Sequence, residues 1–88
     1  MDKHFTDFLA GEVRSRRTAL GLTQRDLADM AGVSERFVRF VEQGKPSIQL
    51  DSLVAVLDTL GLELHLTTRT SHAARTRAGA GRAEGATS

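Results

Sequence analysis

The sequence predicts an all-α domain of four helices followed by one short C-terminal β-strand. Three observations carry that expectation. Apolar residues recur at helical spacing in four blocks, which end at Gly21, Gly32, Gly44 and Gly61. Thr23 and Ser34 stand at the start of the second and third blocks, where a hydroxyl can accept an orphan backbone N–H of a first turn. Finally, Leu62, Leu64 and Leu66 alternate with Glu63, His65 and Thr67, the period of two that marks a half-buried strand.

The first helix runs from about Lys3 or Thr6 to Leu20, with Phe5, Leu9, Val13 and Leu20 on its inward stripe and Gly21 ending it. Arg14, Arg16 and Arg17 crowd its C-terminal half, where the helix dipole favours cations. For Arg14 and Arg16 a solvated basic end is a sufficient reading. A second helix follows Thr23 and turns Leu27, Ala28 and Ala31 inward. Gly32, able to take the left-handed conformation, stops it, Val33 restarts the apolar pattern, and Ser34 caps a third helix running to Gly44.

On that third helix, 100° per residue places Val33, Phe37, Val38, Phe40 and Val41 on one arc and Glu35, Arg36, Arg39 and Gln43 opposite. Pro46 forbids a continued helix and forces a loop. The fourth helix runs from Leu50 or Asp51 to Leu60, with Leu50, Leu53, Val54, Leu57 and Leu60 on one side. Leu62–Thr68 is the expected strand. It has no partner within the chain, so its backbone groups would be satisfied by a second copy across a twofold axis, with Leu62, Leu64 and Leu66 as dimer contacts.

Composition narrows the function classes. Eighty-eight residues make one domain with a small core, to which a second subunit would add stability. The sequence has no cysteine, hence no thiolate metal site, and its three histidines, His4, His65 and His72, are too scattered for a helical metal pair. Neither a phosphate-binding glycine loop nor a nucleophile motif is present, so no cofactor, no metal and no enzymatic activity are expected. With no membrane-length apolar run and no signal-peptide centre near the N-terminus, a cytoplasmic location is expected. Net charge is +1 overall. Arg69, Arg75, Arg77 and Arg82 against Glu84 give residues 69–88 a net +3, which leaves −2 on residues 1–68. Any DNA-binding role must therefore rest on local arginine clustering. Residues 71–88 hold no large apolar side chain and are expected to form a flexible basic tail beside a domain of residues 1–70.

The stretch LTQRDLADMAGVSERFVRFVEQG, Leu22 to Gly44, resembles the lambda-repressor-like helix-turn-helix of the Xre/Cro/434-repressor superfamily. Gln24 opens the motif, Leu27 and Ala28 face inward, Ala31 and Gly32 make the turn, and Val33, Val38 and Val41 are the inward positions after it. The resemblance implies that the third helix enters the major groove of a palindromic double-stranded DNA operator. Ser34, Glu35, Arg36, Arg39 and Phe40 would then face base edges. Arginine can donate in parallel to guanine O6 and N7, and Glu35 can accept from cytosine N4. Thr23, Gln24, Gln43 and Lys45 would meet phosphate, the first two through the N-terminal end of the second helix. The resemblance also implies an ion pair between Arg17 and Glu42. Periodicity leaves Phe40 open between a core aromatic and a contact to thymine methyl groups.

Over a longer span the chain looks like the HipB-type antitoxins of that superfamily, on three marks: the short GKPSIQLDSL connection, the absence of a fifth helix, and LELHL directly after the fourth. What this implies is a homodimeric autorepressor of its own operon that also docks a HipA-like serine/threonine kinase toxin, with no membrane association. Two other readings stay open. One is a stand-alone Xre-type regulator, such as a restriction-modification controller; the other is a protein-interaction module that no longer binds DNA.

Overall fold

All four expected helices form, and a computed structural model of the chain describes residues 3–68. They are α1 (Lys3–Ala19), α2 (Gln24–Ala31), α3 (Glu35–Glu42) and α4 (Leu50–Leu60). The expected basic tail, residues 71–88, lies outside the described residues.

Local chemistry sets the boundaries. A reciprocal capping box starts α2: Asp26 N–H donates to Thr23 Oγ1 at 2.9 Å, and Thr23 N–H donates to Asp26 Oδ2 at 3.0 Å. Ser34 Oγ accepts from Phe37 N–H at 3.0 Å and starts α3. Between the two helices Gly32 takes φ +74°, which lets Val33 N–H return to the Ala28 carbonyl at 3.0 Å and close α2. Gly44 ends α3 with φ +73° for a second reason as well: a Cβ there would lie 2.9 Å from Asp7 Oδ1, because the start of α1 packs on this corner.

The core joins Leu9 and Val13 of α1, Leu27 and Ala28 of α2, Val38 and Val41 of α3, and Leu53, Val56, Leu57 and Leu60 of α4. Leu22, Ala31, Val33, Phe37, Ile48 and Leu62 pack against it, half-buried. Two expected stripes are corrected. In α1 the buried line is Thr6, Leu9, Ala10 and Val13, while Phe5 and Leu20 are exposed, because the helix is rotated to bring Arg17 inward. In α4, Val56 is buried and Leu50 and Val54 are exposed. Apolar residues nearly encircle α4, and its packing, chiefly against α2, selects the side that the pattern left undecided.

Residues 62–68 form no strand, and none is present among the described residues. A strand needs a hydrogen-bonded neighbour, and the single chain offers none. Leu62 N–H donates to the Leu57 carbonyl at 2.8 Å and closes α4, and its side chain turns to the core. Leu64 and Leu66 are exposed. Beside them, Val54, Leu57, Asp58, Leu62, Glu63 and Leu64 line a hollow. No helix among the described residues is long and apolar enough to cross a membrane.

Candidate nucleic-acid interface

A buried carboxylate joins the start of α2 to the end of α3. Glu42, at the end of α3, has a side chain only 1% exposed, and Arg17 of α1 reaches it with Nε donating to Oε2 at 2.6 Å and Nη2 to Oε1 at 3.0 Å. This bidentate pair is the one expected from the resemblance. Arg17 Nη1 also donates to the Leu22 carbonyl at 2.8 Å. Gln24, at the start of α2, donates from Nε2 to Glu42 Oε1 at 3.1 Å. Arg14 donates from Nη2 to the Glu42 carbonyl oxygen at 2.8 Å and brings Nε within 3.5 Å of Oε1. One carboxylate thus ties α1, α2 and α3 together.

Burial pushes the Glu42 carboxyl up, but the hydrogen bonds from Arg17 and Gln24 and the charges of Arg17 and Arg14 outweigh it and hold the group below its ordinary value. The same hydrogen bond from Arg17 to Glu42, opposed by burial, raises the Arg17 guanidinium. A carboxyl depressed in the folded state stabilises the fold above its unfolded pKa, and that stability is lost as pH falls through the folded one. Folding stability is therefore expected to decline as pH drops below the ordinary value of 4.5. Glu42→Gln should flatten that decline in urea denaturation at successive pH values. An acid limb unchanged by the substitution would assign it to other groups.

The outer surface of α3 carries the expected reading residues. Glu35, Arg36, Arg39 and Gln43 are exposed there, with Lys45 just beyond the helix. Arg39 Nη1 lies 3.2 Å from Glu35 Oε2, an i,i+4 pair along the helix surface. Phe40 is half-buried outside the core, whereas Phe37 packs against the core. With Val38, Val41 and Glu42 buried, 100° per residue turns Phe40 toward Arg36 and away from the bundle. Its ring is covered by cations instead, with Arg36 Cζ 5.8 Å and Lys45 Nζ 6.0 Å from the centroid.

At the start of α2 the structure uses the expected phosphate-facing groups differently. Asp26 takes the Thr23 N–H, and the Gln24 side chain is held by Glu42. The N–H groups of Gln24 and Arg25 remain, with no acceptor inside the helix, and exposed Arg25 adds a cation that sequence reasoning passed over. Arg14 and Arg16 are corrected too. Neither is merely solvated: Arg14 holds the Glu42 carbonyl, and Arg16 Nε donates to the Leu60 carbonyl at 2.8 Å. The sequence signal for both was the need of helix C-terminal carbonyls for donors, but nothing in the pattern names the helix.

Residues 13–66 match the helix-turn-helix family, more than half of the chain. The chain belongs to that family. Among relatives of this helix-turn-helix protein is the uncharacterized HTH-type transcriptional regulator y4mF of Sinorhizobium fredii (strain NBRC 101917 / NGR234). The two are 41% identical over 54 residues, which covers 61% of this chain and 71% of the relative. The matched span of this helix-turn-helix protein begins within α1 and takes in the Arg17–Glu42 pair, Arg36 and Arg39 of α3, and Leu62, Leu64 and Leu66.

Proposed function

We propose that the protein is a sequence-specific DNA-binding transcriptional repressor that acts as a homodimer on a palindromic operator. The observation that carries this reading is the outer surface of α3, where Arg36 and Arg39 lie on a helix anchored from behind by Glu42, with Lys45 just beyond its end. That clustering answers the −2 charge of residues 1–68, since attraction to DNA needs cations at the contact rather than over the whole domain. Arg36 and Arg39 read guanine, Glu35 accepts from cytosine, Ser34 and Phe40 complete the base-facing set, and Thr23, Gln24, Gln43 and Lys45 fix the phosphate register.

Dimerisation is supported by the exposed leucines Leu64 and Leu66, by exposed Leu50 and Val54 on α4, and by a segment 62–68 without a ladder partner. Paired across a twofold axis, two such segments would make an antiparallel ribbon. The two α3 helices would then meet half-sites about one DNA turn, ~34 Å, apart. Within this reading the protein is a HipB-like antitoxin that represses its own operon and docks a HipA-like serine/threonine kinase toxin. The short loop between α3 and α4 and the LELHL segment directly after α4 support that subtype. The alternative is a stand-alone regulator with the same DNA chemistry, and the name of the y4mF relative, an HTH-type transcriptional regulator, fits either. A kinase reading frame beside the gene, and a kinase co-purifying from the native host, would decide between the two.

Arg36→Ala or Arg39→Ala is expected to weaken operator binding by about 1–3 kcal/mol and to relax preference at one base pair, while Lys45→Ala weakens all duplexes more evenly and lowers the salt slope. Titrations of operator and scrambled duplex at several salt concentrations separate these signatures. Unchanged base preference in both arginine variants would remove α3 as the reading element.

A further inference from the structure

The outer surface of α3 has a feature that paired arginines do not need. Ser34, Arg36, Phe37 and Phe40 line a shallow hollow on the N-terminal side of the helix. Phe37 is backed by the core, and Phe40 lies under Arg36 and Lys45. Two half-buried phenyl rings on a polar helix face hold apolar surface in contact with water, so a small apolar group entering the hollow would be favoured. The cations at its rim suit a polyanion.

We infer that this hollow is a subsite for the C5-methyl group of a pyrimidine immediately 5′ to a guanine read by Arg36. The inference rests on the DNA-reading function proposed above and specifies one base step of the operator. A guanidinium donating in parallel to O6 and N7 lies close to the plane of guanine. To reach that edge it passes beside the C5 position of the preceding pyrimidine, which projects into the same groove. Arg36 already lies over Phe40, so a methyl group placed there would touch the guanidinium face and the two rings together. Thymine supplies such a methyl, and so does 5-methylcytosine, so the subsite accepts either and discriminates against uracil and unmodified cytosine. Methylation of a cytosine–guanine step would then strengthen binding to it.

The test begins with selection of bound sequences from random duplexes by the full-length chain. At the pyrimidine preceding the Arg36-dependent guanine, deoxyuridine in place of thymidine is expected to weaken binding about fourfold, the factor carried by burying one methyl group. Cytosine should bind more weakly than 5-methylcytosine there by a similar factor. Phe40→Ala, shown to be folded by circular dichroism, removes one of the two rings and should lower both ratios toward one. Ratios of one for the unaltered chain at every pyrimidine of the selected site, or ratios undiminished in Phe40→Ala, would overturn the subsite. A selection that enriches no sequence would overturn the DNA-reading function itself, and the subsite with it.

Discussion

Arg17→Met is expected to destabilise the fold by about 3–5 kcal/mol, because it leaves a buried carboxylate without its main partner. The Glu42 side chain is 1% exposed and that of Arg17 13%, so water can replace little of what the guanidinium supplies. Two hydrogen bonds to the carboxylate and one to the Leu22 carbonyl are lost together. Arg14 is 57% exposed and 3.5 Å from the carboxylate, but it and Gln24 remain beside Glu42, which places the loss toward the lower end of that range. Combining Arg17→Met with Glu42→Leu should recover much of the stability, since two apolar side chains of similar volume need no compensation for lost hydration. Urea denaturation of the four proteins forms a double-mutant cycle. If the two single losses simply add, the side chains do not interact, and α3 is held by its other contacts.

The second large effect concerns assembly. Leu64→Asp with His65→Pro is expected to leave a folded monomer, because both side chains are exposed and the segment bears on the core only through Leu62. Proline removes a donor that an intersubunit ladder would use, and aspartate places a charge where the ribbon would cover leucine. Loss of simultaneous engagement of two half-sites should lower affinity for a palindromic operator by roughly 10²–10⁴-fold, while a single half-site is bound as before. Sedimentation and operator titration would show both effects. A double variant that sediments as a dimer and binds a palindrome normally would place the interface elsewhere.

What the sequence made legible was what depends on near neighbours. The hydroxyl caps at Thr23 and Ser34 and the turn at Gly32 are written within a few residues, and all took the expected form. The Arg17–Glu42 pair spans 25 residues, and only the resemblance pointed to it. Arg14 and Arg16 were misread because their acceptors are main-chain carbonyls on other helices, which leave no trace in side-chain identity. In α4 the apolar positions surround the axis too evenly for periodicity to choose between Val54 and Val56; packing chose Val56. For Phe40 the wheel offered a wide apolar arc, and the burial of Glu42 shifted its centre away from that ring. The segment 62–68 shows a different limit, since alternation announces a strand but pairing requires a neighbour.

The bond from Arg16 to the Leu60 carbonyl bears on how two copies would measure DNA. It ties the last turn of α4 to α1 across 44 positions of sequence, next to the point where the chain leaves the bundle. In a dimer joined through that exit, the clamp makes each subunit's connection a rigid ruler rather than a hinge. Inserting one base pair between half-sites rotates one of them by roughly 35° about the duplex axis, and a rigid ruler cannot follow. Without the clamp the exit could swing to absorb the change, so Arg16 would govern how strictly the protein counts the base pairs between half-sites while touching none of them.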